Sequence, residues 1–151
     1  MSEVWSLCKD GNLVGLRAAI AKGQDLNRCA GPGGAKVTGL MWALNQNHNT
    51  VAELLLFQPS LDVNSSDSRG LTPLHYASSN VTGLRLLLAD PRLTSINARD
   101  DDGETPLMRA VYWGSVDVVR ELVRVEGVDL ETRDDEGKSL EEVAMQPNNA
   151  R

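Results

Sequence analysis

The side chains best suited to catalysis or metal binding are few in this chain of 151 residues. Its only histidines are His48 and His75, and its only cysteines are Cys8 and Cys29. A nucleophile needs a base within hydrogen-bonding distance, itself oriented by a third group. A zinc site needs ligands at spacings such as C-x-x-C or H-x-x-x-H. Because the sequence carries neither pattern, we expect a protein that is not an enzyme and that uses no metal or cofactor.

Two further stretches share only composition with ligand-binding loops. Residues 100–103 (Asp-Asp-Asp-Gly) lack the alternating oxygen ligands of a calcium loop and its glutamate at the twelfth position. Residues 31–34 (Gly-Pro-Gly-Gly) lack the lysine and hydroxyl residue of a phosphate-binding loop. We interpret the first stretch as a solvated turn and the second as a flexible insertion.

The elements that must position these side chains are clearest in residues 100–123. Gly103 indicates a turn. Thr105 and Pro106 are typical of the N-cap and first position of a helix, which we expect to be short and to end at Gly114. An apolar stripe then predicts a second, amphipathic helix. One such helix pair cannot bury its apolar face alone, so further copies are expected.

Copies of this unit recur along the chain. Residues 70–77 read Gly-Leu-Thr-Pro-Leu-His-Tyr-Ala, residues 38–43 read Thr-Gly-Leu-Met-Trp-Ala, and residues 137–144 keep the glycine, a hydroxyl cap and the alanine. The N-terminal segment is a degenerate first copy with Gly11 at its corner. A second motif of the form Asp-Val-Asn precedes each following copy. It lies at residues 25–27, 62–64, 95–97 and 129–131, with spacings of 37, 33 and 34 residues.

These motifs resemble the ankyrin repeat, whose pattern runs D-x-x-G-x-T-P-L-H-x-A, then a glycine corner and V-V-x-x-L-L. The resemblance implies an all-α solenoid, a stack of helix-turn-helix units joined by β-hairpin or loop fingers. We predict one ankyrin-repeat domain over residues 1–146 and a C-terminal tail over residues 147–151. Its repeats span about residues 1–31, 35–64, 66–97 and 99–131, with a partial repeat at 133–146.

Two departures from the family pattern affect the third and fourth repeats. The span from Ala77 to Leu87 is 10 residues, against 12 in the neighbouring repeats. This deficit predicts a shortened first helix or an altered corner in repeat three. Ser79 and Asn80 stand seven and eight residues after the cap threonine, where the family's first helices face outward, and the deficit weakens their assignment to a binding groove. In repeat four, Met108 replaces the family's histidine, which removes an expected hydrogen bond between repeats.

The resemblance also implies roles for several polar side chains. His75 occupies the T-P-L-H position, where the imidazole commonly bridges backbone groups of neighbouring repeats, and His48 follows a corner residue. Asn27, Asn64 and Asn97 stand where ankyrin repeats are often substrates of asparaginyl hydroxylases. The alternative is that each amide simply ties together the backbone of its own finger.

Composition limits the partner and the compartment. The net charge is −6, and residues 98–151 hold 14 acidic against 7 basic residues, whereas residues 1–97 hold 7 against 8. An acidic protein does not suit nucleic-acid phosphates. We find no apolar run of membrane-spanning length and no signal peptide, so we expect a location in the cytoplasm or nucleus, without membrane contact. We also expect a monomer. Cys8 and Cys29 are then expected to be reduced and partly buried.

The aromatic side chains indicate where a partner would bind. In an ankyrin stack the fingers and first helices line a concave face, and four of the six aromatic residues fall at outward positions of the first helices: Trp42, Tyr76, Tyr112 and Trp113. Exposed Trp, Tyr and Arg dominate interface energetics. The alternative is that these rings only cover the seam between helices. The other predicted contacts are Arg69, Asp101, Asp102, Glu104 and Arg109, and Leu71 is a further finger position that the fold would leave exposed.

This surface predicts a protein or peptide partner on the concave face. Its apolar anchor would bind the aromatic residues, and a nearby Lys or Arg would face the acidic fingers. A narrower alternative is a reader of methylated lysine, because clustered aromatic rings with acidic neighbours can enclose a quaternary ammonium.

Overall fold

The computed structural model describes residues 3–146, and the predicted tail at 147–151 lies outside them. Within this part of the chain every regular element is helical. The α-helices are α1 (Val4–Lys9), α2 (Leu13–Ala21), α3 (Gly39–Asn45), α4 (Asn49–Leu56), α5 (Pro73–Tyr76), α6 (Val81–Leu88), α7 (Pro106–Tyr112), α8 (Val116–Leu122) and α9 (Leu140–Ala144), and a 3-10 turn spans Pro32–Gly34.

The helices form two layers that advance along one stack. The first helices of successive repeats pack in the series α1, α3, α5, α7 and α9, and the second helices pack in the series α2, α4, α6 and α8. Between the layers lies a continuous aliphatic core. Its fully buried members include Leu16, Leu44, Leu55, Leu84, Leu107 and Leu122. Because each helix pair contacts only its neighbours, the stack supplies the burial that one pair cannot provide.

Caps and corners fix where the helices begin and end. Thr38 Oγ1 accepts a hydrogen bond from the Met41 amide, and Thr105 Oγ1 accepts one from the Met108 amide, each at 3.3 Å. Both threonines satisfy a backbone N–H that the first helical turn leaves unpaired. At the corner of the second repeat Asn47 takes the left-handed conformation with φ of 59°, where the first and fourth repeats use Gly11 and Gly114. Asparagine tolerates that region better than most residues.

The third repeat is distorted as its length predicts. Helix α5 contains four residues, whereas α3 and α7 contain seven. Asn80 closes the altered corner from a buried position. Its amide donates to the Leu44 carbonyl at 3.0 Å and to Asn49 Oδ1 at 2.8 Å, and its Oδ1 accepts from the Gly83 amide at 2.9 Å. Asn80 is therefore a structural residue and not part of an exposed groove.

The fingers are hydrogen-bonded turns without regular strands in the described residues. The predicted β-hairpin character is confined to an isolated bridge between Arg133 and Ser139. Successive fingers nevertheless pair through their backbones. The Ser68 amide donates to the Ala35 carbonyl at 3.2 Å, and the Asp101 amide donates to the Arg69 carbonyl at 2.9 Å, with the next pair in the same register. This ladder fixes the spacing of the finger tips.

The motif asparagines join neighbouring repeats. Asn64 donates to the Arg92 carbonyl at 2.8 Å and accepts from the Thr94 amide at 2.9 Å. Asn27 and Asn97 make equivalent contacts with residues 30 to 35 positions further along the chain. Each amide therefore has a structural role, as the alternative to modification expected, but it ties its finger to the following repeat and not to its own backbone. Both ends of each amide are engaged in the folded protein.

Arg92 clamps the end of helix α4, a role that the sequence pattern does not reveal. Its guanidinium donates to the carbonyls of Leu56, Gln58 and Leu61 at 2.7, 2.9 and 3.2 Å, and it pairs with Asp90 at 2.6 Å. A cation at the C-terminal end of a helix complements its unpaired carbonyls and its dipole.

The cysteines differ in environment. Cys8 is completely buried and burial raises the pKa of its thiol to about 12, whereas Cys29 is exposed. The expectation of two partly buried thiols is therefore wrong for Cys29. None of the helices in residues 3–146 is long and apolar enough to cross a membrane.

Candidate protein-binding surface

The shortened helix α5 opens a cavity of about 380 Å³ on the face of the first helices. Counted from the cap threonine, α5 ends three residues earlier than α3 and α7. At 1.5 Å per residue, this removes about 4.5 Å of helix from the middle of the row. The cavity is lined by Asn45, Arg69, Leu71, His75, Tyr76, Ser78, Ser79, Arg109 and Trp113. Four of the predicted contact residues are thus brought together.

Tyr76 forms one wall of this cavity and is held in place by a buried carboxylate. Its hydroxyl donates to Asp67 Oδ2 at 2.9 Å. Asp67 Oδ1 accepts from the Arg69 and Leu71 amides at 2.8 and 3.0 Å, which shapes the finger. Burial, followed by the hydrogen bond and charge of Asp67, raises the pKa of Tyr76 to about 12. The phenol is therefore a neutral, fixed surface at physiological pH.

Trp113 is the exposed aromatic residue of the cavity. It follows the last residue of α7, and 41% of it is accessible to solvent. The half-buried ring of Tyr112 meets it edge to face, with centroids 5.2 Å apart and an interplanar angle of 84°. Such T-shaped contacts are favourable. Tyr112 therefore supports Trp113, while Trp113 presents the larger accessible surface.

Arg109 lies in the cavity but already has ionic partners. Its Nη1 is 3.5 Å from Asp100 Oδ2 and 3.3 Å from Glu104 Oε2. Burial raises the pKa of Glu104, although the Arg109 guanidinium opposes that shift. Arg109 Nε is buried, and no residue in the described chain accepts its hydrogen bond. Arg109 and Glu104 therefore act as a pair. Their charged groups are engaged with each other, so they are less available to a partner than an unpaired charge would be.

Trp42 occupies a different environment from the other predicted anchors. It is partly buried and lies outside the lining of the cavity. The ammonium of Lys9 lies 4.9 Å from the centroid of its ring, within the range of a cation–π contact. Trp42 Nε1 is buried, and the residues that the structure describes supply no acceptor for it. One face of this ring is thus already covered by the first repeat.

The finger residues divide into exposed and buried groups. Arg69, Asp101 and Asp102 are exposed, and only their backbones are needed for the hydrogen bonds of the fingers. Leu71 is buried, so the expectation that the fold leaves it exposed is wrong. Leu71 nevertheless contributes to the lining of the cavity.

Both histidines have structural contacts. His75 Nδ1 accepts from the Thr72 amide at 3.0 Å, and Nε2 lies 3.0 Å from the Glu104 carbonyl in the next repeat. Burial lowers the pKa of His75, which favours the neutral ring. His48 Nε2 lies 3.1 Å from the Lys9 carbonyl of the preceding repeat. The predicted bridging of neighbouring repeats is confirmed for His75.

The acidic stretch 100–103 is organised around a structural carboxylate. Asp100 Oδ1 accepts from the amides of Asp102 and Glu104 at 3.0 and 2.9 Å, and Oδ2 faces Arg109. In residues 3–146, no group of three or more His, Cys, Asp or Glu side chains is arranged to hold a metal ion.

The charged side chains that line the cavity are both basic. No Asp or Glu is among the described residues that line it, whereas Arg69 and Arg109 both are. A cage for methylated lysine needs aromatic faces without competing cations. Two guanidinium groups beside Tyr76 and Trp113 do not suit such a ligand.

The sequence pattern missed Asp67 as the partner of Tyr76. The repeat alignment could have predicted this contact, because Asp67 and Asp100 both occupy the first position of the D-x-x-G motif. Residues 76 and 109 are likewise equivalent, four after the cap threonine. In each repeat the buried aspartate contacts the side chain at this position. Asp67 accepts from the Tyr76 hydroxyl, and Asp100 faces the Arg109 guanidinium.

Comparison with known proteins agrees with this architecture. The family model for ankyrin repeats matches residues 5–100 and 40–134. Neurogenic locus notch homolog protein 2 of Homo sapiens is 35% identical over 95 residues, which are 62% of this chain and 4% of that protein. Neurogenic locus notch homolog protein 1 of Mus musculus is 34% identical over 113 residues, covering 74% of this chain and 4% of the relative. The chain thus spans a small part of the relatives it matches. Its repeated helix pairs, capped by Thr38 and Thr105, and the match over residues 5–134 show that the chain belongs to the ankyrin-repeat family.

Proposed function

We propose that this chain is an interaction module that binds a partner protein or peptide on the face formed by its first helices and fingers. Ankyrin repeats are generally protein–protein interaction modules, and the family is typically non-enzymatic. The observation that carries the proposal is the cavity beside the shortened α5, where Tyr76, Trp113 and Arg69 meet. Trp, Tyr and Arg are the residue types that most often dominate binding energy.

The rigidity of this surface favours binding. Tyr76 is fixed by Asp67, Trp113 is supported by Tyr112, and the finger of Arg69 is bonded to the next finger. A surface whose side chains are already ordered loses little conformational entropy on association. The cavity volume is also within the range of sites that enclose a side chain or a small ligand.

The predicted contacts contribute unequally in this proposal. Trp113 and Tyr76 form the apolar anchor site, and Arg69 supplies a charge at its edge. Asp101 and Asp102 lie on the neighbouring finger tip and select partners by charge. Trp42 and Tyr112 extend the surface along the row of first helices, while Glu104 and Arg109 hold the cavity wall.

The proposal is tested with one substitution in the cavity and one matched control. Trp113→Ala removes the accessible ring, and Phe57→Ala removes a ring that is 76% exposed at the end of α4, away from the cavity. Tagged wild type and both variants are expressed in the same cell line, and captured proteins are quantified by mass spectrometry. Proteins lost with Trp113→Ala but retained with Phe57→Ala support the proposal, provided that helical circular dichroism is unchanged. Equal capture by all three forms would place the binding site elsewhere.

A further inference from the structure

We propose that the cavity beside α5 receives an acidic side chain of the partner, whose carboxylate pairs with Arg69 while a neighbouring apolar residue packs on Trp113. This inference rests on the proposed function and adds the chemical class of the residue bound. The deletion in repeat three removes about one helical turn from α5, so a partner side chain can occupy the space that Tyr76 and Trp113 border.

The charges that face the cavity are both positive. Arg69 and Arg109 are its only ionisable lining residues that carry a charge in the described chain, since His75 is kept neutral by burial and Tyr76 stays protonated. The carboxylate that bonds Tyr76 is engaged in other contacts. Asp67 accepts from two backbone amides and the Tyr76 hydroxyl.

Arg69 differs from Arg109 in what it can still bind. Arg109 is shared by the carboxylates of Asp100 and Glu104. Arg69 forms no ion pair with any residue that the structure describes, and it lines the cavity together with Tyr76. An arginine presents a planar fork of donors that matches a carboxylate. Arg69 is therefore the group that a carboxylate would contact.

The neighbouring surface would orient the rest of the ligand. Trp113 offers an accessible ring for an apolar residue next to the acidic one. Asp101 and Asp102 lie on the finger beside Arg69 and would repel further acidic residues, so we expect a single carboxylate and not an acidic run. A basic residue near the acidic one would suit that finger.

Arg69 can be changed without disturbing the fold. Its backbone amide and carbonyl bond with Asp67 and Asp101, and its side chain is exposed. Arg69→Ala and Arg69→Glu therefore keep the finger, whereas Arg109→Ala would leave Asp100 and Glu104 unpaired. Arg17→Glu is the matched control, because Arg17 is an exposed arginine on α2, outside the cavity lining.

The experiment selects ligands from a random dodecapeptide phage library on the purified wild-type chain. We expect binders enriched in one Asp or Glu adjacent to an apolar residue. Charged hydrogen bonds contribute enough that Arg69→Ala should weaken a selected peptide by about tenfold or more, and Arg17→Glu should not. Selection on Arg69→Glu should replace the acidic residue by Lys or Arg.

The outcomes separate this inference from the proposed function. Peptides that need Trp113 but show no acidic enrichment and bind Arg69→Ala as tightly as wild type would overturn the carboxylate assignment alone. Peptides that bind Trp113→Ala and Arg69→Ala unchanged would overturn both proposals. A requirement for both Arg69 and Trp113, combined with acidic enrichment, would support both.

Discussion

Replacing Asn80 by alanine should destabilise the whole stack, because this residue closes the altered corner of the third repeat. The substitution removes hydrogen bonds to the Leu44 carbonyl, to Asn49 Oδ1 and from the Gly83 amide. Because Asn80 is only 4% exposed, water cannot readily replace them. At about 1 kcal/mol for each bond, the free energy of unfolding should fall by about 3 kcal/mol.

The assay is urea or thermal unfolding followed by circular dichroism. For a chain of this size, about 3 kcal/mol corresponds to a decrease in Tm of about 6–12 °C. Ser79→Ala is the control, because Ser79 is the exposed neighbour of Asn80 and its loss should change stability by less than about 0.5 kcal/mol. Asn80→Asp keeps the acceptor for Gly83 but turns a carboxylate toward the Leu44 carbonyl, so it should be at least as destabilising at neutral pH. If Asn80→Ala and Ser79→Ala unfold alike, the assignment of Asn80 as the closure of repeat three is incorrect.

Two further predictions concern buried titratable groups. Burial lowers the pKa of His75 from its usual 6.5, so the unfolded chain takes up a proton at a pH where the folded chain does not. Stability should therefore decline as the pH falls below about 6.5, and this slope should be shallower in His75→Gln; equal slopes in chemical denaturation at several pH values would refute the reasoning. For the thiols, Cys29 should react rapidly with Ellman's reagent while Cys8, with its pKa raised to about 12, should react only in denaturant. Two rapidly reacting thiols in the native protein would contradict the burial of Cys8.

Most of the fold follows from local motifs in the sequence. Thr105, Pro106 and Gly114 mark the limits of α7 because caps and corners depend on residues close together in the chain. The shortening of α5 was also readable, since a two-residue deficit between two aligned positions must remove helix or loop.

The contacts between repeats were harder to predict. In the sequence, Asn64 is part of a finger motif and Arg92 is one of several basic residues. Their hydrogen-bond partners lie 28 to 36 residues away in the chain. Only the stacked geometry brings these groups within hydrogen-bonding distance. A single sequence carries no direct signal of that pairing.

The candidate surface was predicted by position but not by environment. Counting from the cap threonine identified Tyr76 and Trp113, which do line one cavity. The same count treated Trp42 as equivalent to Tyr76, yet one of these rings faces Lys9 and the other bonds Asp67. Equivalent positions in a repeat share a backbone environment, whereas their side-chain contacts depend on residues of the adjacent repeats.

The central claim is that the cavity between Tyr76 and Trp113 is where a partner binds. The most direct test is the dissociation constant of a peptide selected on the wild-type chain, measured by calorimetry for wild type, Trp113→Ala and Phe57→Ala. Loss of a contact that dominates binding corresponds to more than about 1 kcal/mol, or about fivefold. We predict at least that weakening for Trp113→Ala and an unchanged affinity for Phe57→Ala. Unchanged affinity in Trp113→Ala, with its helical circular dichroism intact, would contradict the account.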